Sequence, residues 1–352
     1  MRSLHGCNGR KVAHNVASRD FCSRRIGVLV RAQTSHQHLD IDDDCLWNEF
    51  CERVSGEWDG VTATFSPEGV AIPLPERYVP SAFREWGVEL FDWQSQCSMV
   101  ASTQAKSLSY RVRRMMPSVG CEADAIAFTE ESTSCGIDTS RNSKIMEVKA
   151  VFRDGSYYAG PSSMSELAAN TVTLEFCICK LDKLDTRVRV LVLLARREVT
   201  DWHTRSFEVH FERYEAPYQG GIDLTGCGGG MPGFAKSVSS SPSHVNPNGS
   251  ALFNELWETE SECSFGDPNG GYTMSESALA SVALPLGLQL RWRLKSFEED
   301  VEDDDNGSMM EVVWNMEGGQ GRRRMTSVYK PLHPVQVRLN NERMASFCTE
   351  PS

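Results

Sequence analysis

The sequence predicts an all-β protein: an antiparallel barrel of about eight strands with a further, C-terminal β region. Three observations carry this. Apolar and polar residues alternate in segment after segment between Gly56 and Tyr214. Long helical patterns are missing between those segments, which argues for a meander rather than β-α-β units. Strand-like segments then return beyond a Gly/Ser/Pro-rich stretch at 217–250.

Trp47, Phe50 and Val54 stand at helical spacing ahead of Ser55-Gly56, so a short helix leads into the first strand. Ala63 and Phe65 then alternate with Thr62 and Thr64. The same period of two recurs around Phe91–Met99, Leu108–Val112, Met146–Phe152, Val172–Ile178, Val188–Val192 and Phe207–Phe211, with a weaker segment at Ala125–Thr129. Side chains alternate across a strand, so each segment has one face for a core and one for water. Asp154-Gly155 supplies a hairpin turn. Closing such strands on themselves removes both sheet edges and leaves room for one small ligand. Beyond the 217–250 linker or loop, segments at 288–295, 310–316, 323–330 and 335–339 predict a smaller β region within 251–345. It is either a separate unit or a continuation of the first sheet.

Residues 1–32 hold seven basic side chains and one acid, with serines and small residues between them. Basic, acid-poor N-termini of this kind mark organelle transit peptides, and the segment lacks the apolar run of a secretory signal. Val30-Arg31-Ala32 resembles the site used by the stromal processing peptidase, so the expected address is the chloroplast stroma. A mitochondrial address or an untargeted basic tail are the alternatives. Without this segment the 36 basic and 48 acidic residues become 29 and 47, a formal charge of −18. That surface repels phosphate backbones, so nucleic acid is not an expected partner, and it gives no polybasic attraction to anionic lipid. The longest apolar run, Val190–Ala195, is far below the ~18 residues of a spanning helix, and no membrane span is predicted. The ten cysteines outside the presequence follow no repeated spacing and read as reduced, mostly buried thiols.

Motifs with chemistry are sparse. Gly228-x-Gly230-x-x-Gly233 matches a dinucleotide fingerprint, but Ser239–Pro242 follows where the anion-binding helix should start, so loop flexibility explains it better. Glu208, His210 and Glu212 share one strand face with His203 nearby, a pattern any exposed strand face shows, and no metal is assigned. The acidic run Glu298–Asp305 fails the calcium-loop register, because Val313 stands where the bidentate Glu belongs. No nucleophile signature occurs, and His203, His210 and His333 are the few general acid–base candidates. No catalytic residue or cofactor is assigned.

The most informative piece is Gly56-Glu57-Trp58-Asp59-Gly60 after the short helix. It resembles the Gly-x-Trp signature of lipocalins and related calycin barrels. The wider stretch to Gly69, with Leu74-Pro75-Glu76-Arg77-Tyr78-Val79-Pro80, is similar to an uncharacterised lipocalin-like family of plants and cyanobacteria, a domain of unknown function. The match covers roughly residues 47–110. It implies a barrel over 45–216 in which Trp58 closes one end beneath a late basic residue, either Arg213 or one of Arg322, Arg323 and Arg324. It carries no established activity.

Large apolar side chains on the expected inner face then define a candidate cavity lining: Phe91, Trp93, Tyr110, Phe152, Phe176, Phe207 and Phe211. They either line a cavity or fill a solid core. The expected function is plastid binding of a hydrophobic small molecule such as a lipid, pigment or tetrapyrrole. A scaffold without ligand, with a protein partner still unknown, and an enzyme acting on a bound lipid or pigment are the alternatives.

Overall fold

The computed structural model describes residues 43–119, 127–136, 146–161, 163–164, 169–180, 185–197, 201–221, 230–236, 257–262, 279–294, 307–316, 321–330 and 335–344. The basic presequence, the acidic run at 298–305 and the segment at 237–250 lie outside the described residues. The all-β expectation holds. A ten-stranded antiparallel sheet runs in the order β5 (Phe128–Gly136), β4 (Ser107–Met115), β3 (Asp92–Ser102), β1 (Gly56–Phe65), β10 (Trp202–Ala216), β9 (Thr186–Arg196), β8 (Thr171–Cys179), β7 (Tyr157–Gly160) and β6 (Glu147–Val151). The short β2 (Ala71–Ile72) adds to β1 beside this path. The Asp-Gly turn joins β6 to β7, a strand too short to show in the period-two pattern. There Gly155 takes φ +92, a left-handed conformation that glycine adopts freely.

This sheet is strongly curled, and one contact shows how far. β4 and β8 are five steps apart in the strand order, about 24 Å in a flat sheet at ~4.8 Å per strand. Yet Tyr110 Oη on β4 donates to Glu175 Oε2 on β8 at 2.7 Å. The strands therefore wrap around the side chains of one face. Helix α1 (Asp43–Val54) covers one end of the curl, since Trp47, Phe50, Cys51 and Val54 sit on one helical stripe and all four are buried. Trp47 Nε1 donates to Ser102 O at the β3–β4 turn, and Arg153 beside the β6–β7 turn pairs with Glu49 at 2.5 Å. The opposite end, where β1 and β4 finish and β3, β5 and β10 begin, is the mouth.

The outer face of the sheet is apolar. Val61, Ala63, Phe65, Phe176, Val188, Val190, Val192, Phe207 and Val209 all point away from the curl, and each is essentially solvent-free. They are covered by a second, six-stranded antiparallel sheet ordered β11 (Trp257–Glu262), β16 (Gln336–Met344), β15 (Gly321–Tyr329), β14 (Ser308–Asn315), β13 (Leu288–Arg293) and β12 (Ala280–Leu284). Leu290, Met310, Val312, Met325 and Leu339 of that sheet share one cluster with the outer face of the first. Fully burying a side chain of this size contributes about 1.5–3 kcal/mol. Residues 230–236, inside the stretch expected as linker, lie against β3, where Asp92 Oδ1 accepts from the amides of Phe234 and Ala235 at 2.9 Å.

The seam between the sheets also carries polar ties. Tyr158 and Tyr329 meet hydroxyl to hydroxyl at 2.5 Å. Arg323, fully buried, donates to Asp154, to Cys179 O at 2.5 Å and to Asn341 Oδ1 at 2.7 Å. Removing one partner of a buried charged pair costs about 3–5 kcal/mol. Arg323→Met is therefore expected to lower unfolding free energy by about that amount in urea titration. A loss below about 1 kcal/mol would place the grip between the sheets in the apolar contacts alone.

Candidate functional site

The inner face of the curl holds a buried ionic cluster set among apolar side chains such as Trp58, Met99, Leu108 and Val112, instead of the expected phenylalanine lining. On β9 the alternation that sends Val188, Val190 and Val192 outward sends Arg187 and Arg189 inward. The neighbouring strands bring carboxylates to meet them, Glu212 from β10 and Glu175 from β8. Arg187 Nε donates to Glu212 Oε2 at 2.6 Å, and Arg189 Nη2 donates to Glu212 Oε1 at 2.7 Å. Arg189 Nη1 reaches Glu175 Oε1 at 2.9 Å. Glu175 also accepts from Tyr110 at 2.7 Å and Tyr157 at 2.6 Å. All four charged side chains are at most 1% exposed. The set is formally neutral and fills the closed half of the curl.

Gly60 makes room for it. A Cβ at that position would lie 2.4 Å from Phe211 O and 3.1 Å from Glu212 Cγ, so the carboxylate arm passes over bare backbone. Trp58 seals the floor: its indole donates to Val54 O at 3.2 Å, and it meets Tyr214 edge to face with centroids 5.4 Å apart. The cation stacked on it is Arg187, whose guanidinium carbon lies 3.7 Å from the ring centroid. This corrects the expected partner. Arg213 neighbours Glu212 in sequence, so alternation turns it to the other face, where it is exposed. Arg322, Arg323 and Arg324 belong to the second sheet.

Of the expected lining, only Trp93 and Tyr110 belong to the inner face, Trp93 by its register opposite Thr62. Phe152, Phe176, Phe207 and Phe211 pack outward against the second sheet, and Phe91 joins the same outer core. The physical reason is that this sheet has two buried faces. The outer one packs these phenylalanines against the second sheet, and the inner one packs a separate apolar cluster around the paired charges.

Toward the mouth a second polar chain continues the first. Ser95 Oγ and Thr62 Oγ1 are 3.0 Å apart, and Thr62 Oγ1 lies 2.9 Å from His210 Nδ1. His210 Nε2 stands 2.7 Å from Glu208 Oε1, which also accepts from Arg114 Nη2 at 2.6 Å. Thus Glu208, His210 and Glu212 do share a face, and arginines engage both carboxylates. Beyond this chain the inner positions Thr64, Thr173, Leu191 and Leu193 are half-buried. The inner face therefore passes from a buried ionic cluster to a half-buried stretch near the mouth, where Leu191 and Leu193 stand with the Arg114–Glu208 pair and Trp93 lies buried against Tyr78.

Burial opposes ionisation of Glu212, but Arg187 and Arg189 outweigh it and hold its carboxyl well below the usual range. Burial likewise opposes Glu208, and His210 and Arg114 bring it from 4.5 down to about 2. The thiols go the other way. Burial pushes Cys97 and Cys135 up to about 12.

Sequence reasoning missed Arg187, Arg189, Glu175 and Arg114. The available signal was charge parity: two arginines on one strand, with a glutamate of matching facing on each neighbour.

No family model matches the chain, and no curated protein matches it. Among solved structures, a protein of unknown function of the DUF3598 family from Nostoc punctiforme PCC 73102 is similar over 85% of this chain and 99% of its own, at 14% identity and a TM-score of 0.45. An S-type phycobiliprotein lyase from Guillardia theta is similar over 48% of this chain and 93% of its own, at 11% identity and a TM-score of 0.27. Neither likeness carries an activity to this chain. Among the described residues no helix is long and apolar enough to cross a membrane.

Arg187→Met is expected to cost about 3–5 kcal/mol, because it leaves Glu212 short of a cation in a dry interior. Arg187→Lys should cost less, since it keeps the charge and loses only the fork and the stacking on Trp58. Equal losses in chemical denaturation would refute a role for the charge. A pH series gives a second test. Both carboxyls titrate lower in the folded chain than unfolded, so their stabilisation is whole above the ordinary 4.5 and fades as pH falls toward 2. The melting temperature should hold steady from pH 8 to about pH 5.5 and drop steeply below about pH 4.5. Glu208→Gln should flatten part of that acid slope.

Proposed function

We propose that this is a plastid protein that binds one amphipathic small molecule, of the lipid or pigment kind, at the mouth of its curled sheet. One observation carries the reading: the inner face is solid at the Trp58 end and half-buried at the other, where apolar and charged side chains converge. Ligand sites combine apolar walls with a few placed polar groups, and this basin has both. Leu191 and Leu193 supply the apolar surface, backed by the buried Trp93–Tyr78 pair. Arg114 and Glu208 supply the polar end, one for an anionic or acceptor group and the other for a donor. The ionic floor argues against a deeply buried hydrocarbon tail, so the ligand lies across the mouth.

A scaffold without ligand is the second reading, favoured by the complete internal pairing of the closed half. Native mass spectrometry of the chain, with and without residues 1–32, separates the two. The binding reading expects a co-purifying small molecule, or quenching of tryptophan emission on titration with fatty acids and tetrapyrroles. Leu193→Glu should weaken such binding at least about tenfold, with the melting temperature little changed. No ligand and no response across the panel would retire the binding reading in favour of the scaffold. The plastid address is tested by fusing residues 1–32 to a fluorescent reporter.

A further inference from the structure

Large apolar side chains are exposed very unevenly along the barrel axis. Seven are more than a third exposed among the described residues, and six of them stand at the mouth. Val70, Ile72, Trp86 and Val88 belong to the β1–β3 connection, residues 66–91. Val119 and Phe128 belong to the β4–β5 connection or its edge. The strand directions fix the placement. β1 runs away from the end that α1 covers, so its link to β3 returns from the mouth, and β4 likewise ends there. Only Tyr218, just beyond β10, stands at the closed end. Trp86 is 62% exposed and Val70 65%.

Soluble surfaces scatter single apolar residues, but gathering them at the entrance of a basin marks a contact zone. Their arrangement selects the kind of contact. They stand on two separate connections around an opening. A fluid apolar phase accepts such separate projections, whereas a protein partner needs matching pockets. Tryptophan is also favoured at the level of lipid headgroups. Charge narrows the lipid further. Residues 66–91 hold four acids (Glu68, Glu76, Glu85 and Glu89) against Arg77 and Arg84, with Lys236 paired to Glu89. A connection of this balance offers an anionic surface no net attraction.

We propose that the mouth docks onto an uncharged or zwitterionic lipid surface through Trp86, Val88, Val70 and Ile72. The inference rests on the mouth being the ligand site, and it adds the source: an amphipathic molecule passes from the bilayer into the basin without crossing water.

Flotation of the full chain with phosphatidylcholine vesicles tests it. The wild-type chain should float, and added salt should not release it. The double variant Trp86→Ser, Val88→Ser should lose flotation at least about tenfold, because binding follows buried apolar area. Both side chains are exposed and Trp86 loses only its edge-to-face contact with Phe83, so the melting temperature should fall little. Leu193→Glu should float like wild type while losing the ligand, which separates docking from binding. Absence of wild-type flotation, or equal flotation of the double variant, overturns the docking while leaving the ligand site standing. A stoichiometric protein partner lost in the double variant, without vesicle binding, also overturns it and assigns the rim to that partner.

Discussion

Four charges held out of water inside a curled sheet constrain everything else in this molecule. Arg187, Arg189, Glu175 and Glu212 are at most 1% exposed, and their formal charges cancel. Moving an ion into such an interior costs several kcal/mol, recovered only when geometry is good and the remaining donors and acceptors are satisfied. Here Tyr110 and Tyr157 complete Glu175, while Trp58 and Met99 surround Arg187. Three consecutive strands, β8 to β10, contribute the ions, but Trp58, Met99 and Tyr110 come from β1, β3 and β4. The pairing is complete only when the two halves of the sheet have wrapped around it. An apolar filling could slide in register, and this one cannot without stranding a charge.

The division of labour between the two faces follows from that. Outward residues make an apolar core with the second sheet, the usual source of stability in a domain. Inward residues make an ionic floor that fixes shape and leaves a basin only near the mouth. The ligand proposed for that end would meet a surface organised before it arrives, so little ordering cost would attach to its binding. The seam ties through Arg323 and Tyr158–Tyr329 link the outer core to the same β6–β8 region that supplies Glu175.

Much of the architecture was legible in the sequence. The helix from Trp47 to Val54, the Gly-x-Trp strand after it and most of the alternating segments needed only periodicity. What periodicity does not specify is which face of a strand is inside. Val188, Val190 and Val192 were readable as one side of β9, yet only the presence of a covering sheet decides that they face outward. Arg187 and Arg189 therefore read as solvent-facing when they are the most buried cations of the first sheet. β7 escaped because four residues are too few for a pattern, and residues 230–236 because the caps from Asp92 join positions far apart in the chain. Arg213 was a sequence-proximal guess for a partner that the pleat places on the adjacent strand.

The thiols have a consequence of their own. A thiolate, not a thiol, reacts with disulfides, peroxides and alkylating agents. With Cys97 and Cys135 pushed up to about 12 by burial, hardly any thiolate is present near neutral pH. Their chemistry is silenced for as long as the walls stay closed. Reaction at either sulfur then requires the surrounding walls to open first.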